Sequence, residues 1–268
     1  MKNYTIVSFS GGKDSTAMLL HMIELGEHID EVICCDTYME FPAMYRHIAK
    51  VKKIVEDHGI KFTELRSEKT FEYYMFEYEL TRGKYKGQQG YGWALPTMRW
   101  CTGMLKRNVV HKYLKSAKKQ YNVIQCVGIA FDEGYRLERK NNQTEDQRHP
   151  LIEWKWTEEQ CLKYCYSKGF DWEGLYEIFR KEEGKCPRVS CWCCPLQSLT
   201  DLRVLRRYFP SLWAKLRDMD KRARLKFKSN YSVEDLEIRF ALEEEAKALG
   251  LSITNREFHN ELKKRLGR

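Results

Sequence analysis

Short apolar runs alternate with segments of helical periodicity in the first part of the chain. Each run has the length of a buried strand, and the helical patterns predicted between the first three cover residues 14–25 and 42–58. Strands that alternate with helices predict an α/β fold, in which an open parallel sheet is flanked by helices. The predicted strands are Tyr4–Ser8, Glu31–Thr37, Lys61–Leu65 and Asn122–Ile129.

The pattern changes after the fourth predicted strand. From about Leu151 onward the chain has a helical pattern, interrupted by a cysteine-rich loop. We therefore predict an α/β domain over residues 1–150 and a helical region over residues 151–268. The glycine-rich segment 82–96 fits neither pattern and is interpreted either as a mobile lid or as a long surface loop.

The first predicted strand leads into a glycine-rich turn at the start of a helix. Two adjacent glycines let the backbone approach an anion, the N–H groups of the helix start point at it, and Lys13 adds a positive charge. A Walker loop would need glycine and a hydroxyl where the chain has Val7 and Asp14, so a different phosphate loop is predicted; the alternative is an ordinary turn. The predicted ligand contacts are Ser8, Ser10, Gly11, Gly12, Lys13, Asp14 and Ser15.

Polar or glycine residues follow two further predicted strands. Asp36 and Thr37 end the second strand, and Gly128 lies near the end of the fourth. Ligands of open α/β sheets bind outside the carboxyl ends of the strands, so these residues should gather near the phosphate loop. Asp36 and Thr37 can contact a ribose or order the water ligands of Mg²⁺, although a capped turn is the alternative.

The chain has ten cysteines, four of them crowded between residues 186 and 194. Cys191 and Cys194 have the C-x-x-C spacing that lets two thiolates converge on one metal centre. A four-thiolate site needs further ligands, for which Cys186 is preferred over Cys193 because adjacent side chains tend to point apart. The candidates are a [4Fe-4S] cluster, a zinc ion or free thiols. The buried-strand and helix cysteines Cys34, Cys35, Cys126, Cys161 and Cys165 are predicted to be core residues.

Charge and composition add two expectations. The formal net charge is +9, and residues 203–228 contain ten basic and two acidic residues. Such a segment can bind tRNA or DNA, but a solvated basic helix pair is equally compatible. The apolar runs are far shorter than a membrane span, and residues 1–25 lack a signal-peptide pattern. We therefore expect a cytoplasmic protein without a membrane partner.

Five motifs in order resemble the PAPS (phosphoadenylyl sulfate) reductase family of the PP-loop ATP pyrophosphatase, or adenine nucleotide alpha hydrolase-like, superfamily. Tyr38 stands where that family usually has glycine, and Thr102 replaces a cysteine. The motifs are Ser10-Gly11-Gly12-Lys13-Asp14-Ser15, Asp36-Thr37-Tyr38 with Pro42, Cys101-Thr102 with Lys106, Gly128 with Glu133 and Arg136, and Pro150-Leu151 with Trp154.

The resemblance implies specific roles at these positions. It implies that the loop binds ATP, APS (adenylyl sulfate) or PAPS beside Lys106, Gly128, Glu133 and Arg136. Mg²⁺ is a further cofactor candidate. Catalytic roles fall on Lys13, Asp14 and Arg136. Cys101, Cys191 and Cys194 correspond to cluster ligands of the family, with Cys186 as the preferred fourth ligand.

The resemblance implies an enzyme, but the motifs leave its reaction open. PAPS reductases carry a cysteine nucleophile near the C-terminus, and no cysteine follows Cys194 here, so PAPS reduction is not expected. The first hypothesis is an iron-sulfur-dependent sulfur-transfer or sulfonucleotide enzyme that uses ATP, APS or PAPS. The alternative is a zinc-containing module that senses nucleotides or binds nucleic acid without turnover. A homodimer is left open.

Overall fold

The computed structural model describes residues 1–138, 146–180 and 186–268. The chain forms two compact units, each built from two separate stretches. The first unit contains Met1–Phe71 and Trp100–Cys191, and the second contains Glu72–Arg99 and Trp192–Arg268. This division does not coincide with the predicted boundary at residue 150.

The first unit is built on a five-stranded parallel sheet with the order β3-β2-β1-β4-β5. The four predicted strands are confirmed to within two residues, whereas the two-residue β5 is too short to carry a pattern. Strand order reverses between β1 and β4, which creates a crevice at their carboxyl ends. The strands are β1 (Asn3–Phe9), β2 (Glu31–Asp36), β3 (Lys61–Arg66), β4 (Asn122–Val127) and β5 (Gln147–Arg148).

Helices flank this sheet. Residues 14–25 and 42–58 are helical as predicted, the second helix beginning with Pro42, whose fixed φ suits the first helical position. α5 packs against α1, so this helix belongs to the first unit although it lies after residue 150. The helices are α1 (Lys13–Glu24), α2 (Pro42–Asp57), α3 (Asn108–Ala117), α4 (Pro150–Glu153), α5 (Glu158–Ser167) and α6 (Leu175–Ile178). Shorter helical turns are Thr102–Arg107, Phe131–Arg136 and Trp172–Gly174.

The second unit contains four longer helices and the glycine-rich segment. Capping boxes at Ser198 and Ser232 satisfy the first backbone N–H groups of α7 and α9. Trp93 is fully buried, and its indole N–H donates to Asp220 Oδ1 at 2.8 Å, so the end of segment 82–96 belongs to the core of this unit. The helices are α7 (Leu199–Tyr208), α8 (Pro210–Arg222), α9 (Val233–Ala248) and α10 (Arg256–Arg265).

A helix that crosses a membrane needs about 20 consecutive, mostly apolar residues. Within the described residues, no helix is long and apolar enough to cross a membrane.

Candidate nucleotide-binding site

The predicted phosphate loop lies between β1 and α1, at the crevice of the sheet. Gly11 has a φ of +78°, and a Cβ atom there would lie 2.9 Å from the side chains of Ile48 and Met44. The Ser10 N–H donates to Ser15 Oγ at 3.1 Å, which closes the turn. The carbonyl oxygen of Gly11 accepts the indole N–H of Trp172 at 2.8 Å. The loop therefore has a defined shape, and Gly11 meets both a conformational and a steric requirement.

The loop also contacts β1 and the end of β4. A Cβ atom on Gly128 would lie 3.0 Å from the Cα atom of Ser15 and 3.1 Å from its nitrogen. The missing side chain of Gly128 thus makes room for the loop backbone. Ser8 Oγ accepts a hydrogen bond from Gln125 Nε2 at 2.7 Å, so this hydroxyl is engaged between β1 and β4.

Lys13 is buried beside two carboxylates. Its Nζ lies 3.1 Å from Asp14 Oδ2 and 2.8 Å from Glu158 Oε1, and the residue is 3% exposed. Burial disfavours the charged ammonium, but the negative charge of Asp14 and the hydrogen bond to Glu158 raise the pKa of Lys13 above its usual value. Its backbone N–H donates to the Tyr176 hydroxyl at 3.0 Å. A full positive charge is therefore held at the loop.

Two arginines extend this cluster toward solvent. Arg136 Nη1 lies 2.6 Å from Glu133 Oε2, which is the ion pair considered as the plainer interpretation of the Gly128 motif. Arg188 contacts Glu133 as well, and its Nη2 lies 3.0 Å from Glu158 Oε2. The side chains of Arg136 and Arg188 are 44% and 60% exposed, whereas that of Glu133 is 6% exposed. Both guanidinium groups can therefore turn toward a ligand more easily than the carboxylates can.

Glu158 and Arg188 are absent from the residues predicted from sequence. Glu158 is the first residue of α5, where an acidic side chain is ordinary because it complements the helix dipole. Arg188 lies inside the cysteine-rich loop, where the spacing of the cysteines predicts a metal site and nothing marks the arginine as a ligand contact. Nothing in the local sequence of Glu158 points to Lys13, which lies 145 residues earlier.

Three carboxylates form a candidate site for a divalent cation. One ligand oxygen from each of Asp14, Glu133 and Glu158 lies within 4.8 Å of those from the other two. Burial raises the pKa of Asp14 to about 6, against the attraction of Lys13. Asp14 Oδ1 is buried without a hydrogen-bond partner among the described residues. An oxygen-only donor set with an unpartnered oxygen fits a hard cation such as Mg²⁺.

The end of β2 is held by local hydrogen bonds. Asp36 Oδ1 accepts from the backbone N–H of Tyr38 at 2.7 Å and from the Tyr45 hydroxyl at 2.9 Å, while Oδ2 lies 3.1 Å from Arg66 Nε. Tyr38 has a φ of +68°, the backbone region that the usual glycine adopts readily. Tyrosine therefore preserves the backbone form of the motif. The capped turn is present at Asp36, and its contact with a ligand stays a prediction.

The thiols at this edge have polar surroundings. Cys191 Sγ donates to Glu40 Oε1 at 3.4 Å and lies 3.8 Å from Thr37 Oγ1. Burial raises the pKa of Cys186 to about 12, an effect that the charge of Lys13 opposes. Burial also raises the pKa of Cys35, an effect that the charge of Lys106 opposes at the end of β2.

The predicted four-thiolate ligands are divided between the two units. Cys101, Cys186 and Cys191 belong to the first unit, and Cys194 belongs to the second. Their joint role as cluster or zinc ligands stays a prediction. The cysteines predicted to be core residues behave as expected at Cys34, Cys126, Cys161 and Cys165, which are buried, while Cys35 is half-buried.

The fold and the loop together define the class of protein. A parallel sheet flanked by helices, with a glycine-rich loop where strand order reverses, is an α/β fold of the adenine nucleotide alpha hydrolase-like kind. Residues 4–197 match the model of the phosphoadenosine phosphosulfate reductase domain, and the chain belongs to that family.

Similar proteins come from methanogenic archaea. The uncharacterized protein MJ0066 of Methanocaldococcus jannaschii is 28% identical over 221 residues, which are 80% of this chain and 41% of that protein. MJ0973 of the same organism is 27% identical over 236 residues, 82% of this chain and 49% of that protein. The chain thus spans less than half the length of these relatives. A solved structure, the U34-tRNA thiolase NcsA from Methanococcus maripaludis with its [4Fe-4S] cluster, matches with a TM-score of 0.39 and 16% sequence identity. The match covers 82% of this chain and 72% of the NcsA chain.

Proposed function

We propose that the first unit binds ATP together with Mg²⁺ at the loop of Ser10–Ser15 and belongs to an enzyme of the sulfur-transfer kind. In the proposed reaction an acceptor atom bonds to the α-phosphorus, the bond from that phosphorus to the bridging oxygen breaks, and pyrophosphate leaves with the electron pair. The family match supports nucleotide binding, and the sulfur chemistry and the acceptor are part of the proposal.

The observation that carries this proposal is the charge balance beside the loop. Three carboxylates and three basic groups meet there, so a bare anionic ligand would gain little net attraction. ATP with Mg²⁺ complements both the negative and the positive side chains, because the cation binds carboxylates and the phosphates bind basic groups. The carboxylates are Asp14, Glu133 and Glu158, and the basic groups are Lys13, Arg136 and Arg188. This balance favours ATP over APS and PAPS.

Each basic group has a separate task in this proposal. Lys13 is buried and already held by Glu158, so it would stabilise charge on the leaving pyrophosphate without reorganisation. Arg136 and Arg188 would leave their carboxylates and bind the outer phosphates, where a guanidinium can donate two parallel hydrogen bonds. Mg²⁺ bound by the freed carboxylates would neutralise charge on the phosphate oxygens.

The thiols would serve the sulfur half of the reaction. An all-thiolate donor set suits both an iron-sulfur cluster and zinc. Cys101, Cys186, Cys191 and Cys194 would hold the group, and a bound [4Fe-4S] cluster would supply sulfur or electrons. Iron, sulfide and zinc analysis of anaerobically purified protein distinguishes the two metals.

The direct test measures ATP binding and pyrophosphate release with and without Mg²⁺, using Glu158→Gln and the matched control Glu153→Gln. Glu153 is a carboxylate of the same unit that pairs with the half-exposed Arg148. We expect Glu158→Gln to lose most of the Mg²⁺-dependent binding and the control to retain it. Equal behaviour of the two variants, or ATP binding that ignores Mg²⁺, would contradict the proposal.

The same assays separate the other hypotheses. Tighter binding of APS or PAPS than of ATP would support a sulfonucleotide enzyme. Absence of pyrophosphate and AMP with the metal centre intact, tested with and without tRNA or DNA, would support a binding module without turnover.

A further inference from the structure

Half of the ten basic residues in segment 203–228 form ion pairs with carboxylates of the second unit. Arg203 contacts Glu243 at 2.5 Å, while Arg206 and Arg217 lie 2.8 and 2.9 Å from Glu237 and Glu234. All three carboxylates belong to α9. Lys226 and Lys215 also meet carboxylates, at 3.4 and 3.6 Å. Much of the positive charge in this part of the sequence is therefore already paired.

A second group of cations lies on a hairpin formed by residues 78–90. Backbone hydrogen bonds join Leu80 to Gln88 and Gly90 to Tyr78. The tip of the hairpin contributes three exposed basic residues, for which the described part of the chain offers no ion-pair partner. These residues are Arg82, Lys84 and Lys86.

The residues after α8 bring Arg224 to this hairpin, and the end of α8 brings Arg222 to the helical turn just before it. Arg224 lies with its Cζ 4.3 Å from the centre of the Tyr85 ring, and its Nη1 donates to Gln88 Oε1 at 3.2 Å. Arg222 lies with its Cζ 4.1 Å from the ring of Phe76. Neither guanidinium meets a carboxylate among the described residues. Each of these two arginines thus lies against an aromatic ring in or next to the hairpin.

Two features of this group point to one kind of ligand. Five basic residues outnumber the exposed Glu77 and Glu79 nearby, which leaves an excess of three positive charges. Tyr85 is 37% exposed, so part of its ring remains accessible beside Arg224. Basic side chains that follow a phosphate backbone, combined with an aromatic ring on which bases stack, are typical of single-strand binding.

We propose that this hairpin surface, defined as Arg82, Lys84, Tyr85, Lys86, Arg222 and Arg224, binds single-stranded nucleic acid. The basic side chains contact phosphates, and the Tyr85 ring stacks on an unpaired base. The proposal moves the nucleic-acid contact away from the α9-paired arginines of the basic segment. It does not depend on the nucleotide reaction proposed for the first unit.

The test compares Lys84→Gln/Arg222→Gln with Lys263→Gln/Lys264→Gln, which removes the same charge from exposed residues at the end of α10. Fluorescence anisotropy of labelled single-stranded RNA, single-stranded DNA and duplex is measured across a salt series. We expect the hairpin variant to lose at least about tenfold in affinity and its salt slope to fall by about 1 to 1.5, since each phosphate contact contributes about 0.7. The control should stay within about twofold.

A second variant tests the ring. Tyr85→Leu keeps every charge, so we expect weaker single-strand binding with an unchanged salt slope. Equal losses in the hairpin and control variants, or duplex binding as tight as single-strand binding, would overturn the proposal. So would the lack of binding by the unmodified protein. ATP binding, measured on the same samples, is expected to be unchanged in all three variants, which separates this result from failure of the nucleotide proposal.

Discussion

One ion pair from each unit shows how burial changes the role of an ion pair. In the first unit, Lys13 is 3% exposed between Asp14 and Glu158. In the second, the side chain of Arg217 is 35% exposed beside that of Glu234, which is 52% exposed. Removing one partner of a buried pair leaves an uncompensated charge and costs about 3 to 5 kcal/mol, whereas an exposed pair contributes about 1 kcal/mol or less. Similar distances therefore carry different energies and different functions.

The strongest test of this contrast removes the buried ammonium. Lys13→Met leaves Asp14 and Glu158 without their shared partner, and it deletes the charge that we assign to the phosphates. We expect affinity for ATP with Mg²⁺, measured by calorimetry, to fall at least about 100-fold, which corresponds to about 2.7 kcal/mol. The exposed Lys163 on α5 supplies the control Lys163→Met, which should bind normally. A loss below about fivefold at Lys13 would contradict its assigned role.

The next effect concerns the backbone under the loop. Gly128→Ala places a Cβ atom 3.0 Å from the Cα atom of Ser15, and neither backbone segment can rotate away. We expect a loss of about 1 to 3 kcal/mol in the free energy of unfolding, measured with urea, and weaker ATP binding.

The matched control is Gly134→Ala, whose added Cβ atom would meet only Ile152 Cδ1 at 3.7 Å. This variant should unfold at nearly the same urea concentration as the original protein. If both alanines had equal effects, the close approach of β4 to the loop would not explain the result.

The raised pKa of Asp14 predicts a pH-dependent stability of the metal-free protein. Because burial raises the pKa of Asp14 from 3.8 to about 6, the folded state holds its proton more tightly than the unfolded state does. Its contribution to stability is therefore complete below about pH 4 and is lost as the pH rises through about 6, by roughly 2 to 3 kcal/mol.

Asp14→Asn removes this titration. The free energy of unfolding of the variant and of the original protein is measured in a chelator from about pH 4 to about pH 7. We expect the difference between the two to shift in favour of the variant as the pH rises. A difference that does not change over this range would show that burial leaves the Asp14 carboxyl untouched.

The smallest effect is expected on the surface of the second unit. Arg217→Gln, Glu234→Gln and the double variant form a cycle for an exposed pair 2.9 Å apart. We expect a coupling energy below about 1 kcal/mol that disappears in high salt, measured by urea unfolding. A coupling as large as that of a buried pair would contradict the contrast between the Lys13 and Arg217 ion pairs.

The sequence predicts the sheet and the loop well, because both depend on neighbouring residues. Continuous apolar runs identify the four longer strands, and adjacent glycines before Lys13 identify the tight turn between β1 and α1. The partner of Lys13 on α5 is harder to predict, since Glu158 reaches it only through the tertiary fold. Arg188 joins the cluster only through its ion pairs with Glu133 and Glu158. The division into two units is also hard to predict from the sequence. Residues 72–99 belong to the second unit, although they lie in the sequence between the two stretches of the first unit.

The motif around Asp36 shows how a departure from a family pattern can keep its structure. Glycine is usual at position 38 because the backbone needs a positive φ, which most side chains disfavour. Tyr38 adopts a φ of +68°, and its hydroxyl donates to the Ser67 carbonyl oxygen at 2.9 Å. A hydrogen bond to Asp36 holds its backbone N–H. The sequence shows only that tyrosine replaces glycine at position 38, whereas the structure shows how the turn accommodates the tyrosine.

The hydrogen bonds from Trp172 to Gly11 and from Lys13 to Tyr176 constrain the order in which the first unit folds. They join the loop at Gly11 and Lys13 to residues 161 and 163 positions later. Contacts of such long sequence separation form late, because the intervening chain must first be brought together. During synthesis the phosphate loop therefore leaves the ribosome long before its supports exist. It can acquire its final shape only when most of the first unit has emerged.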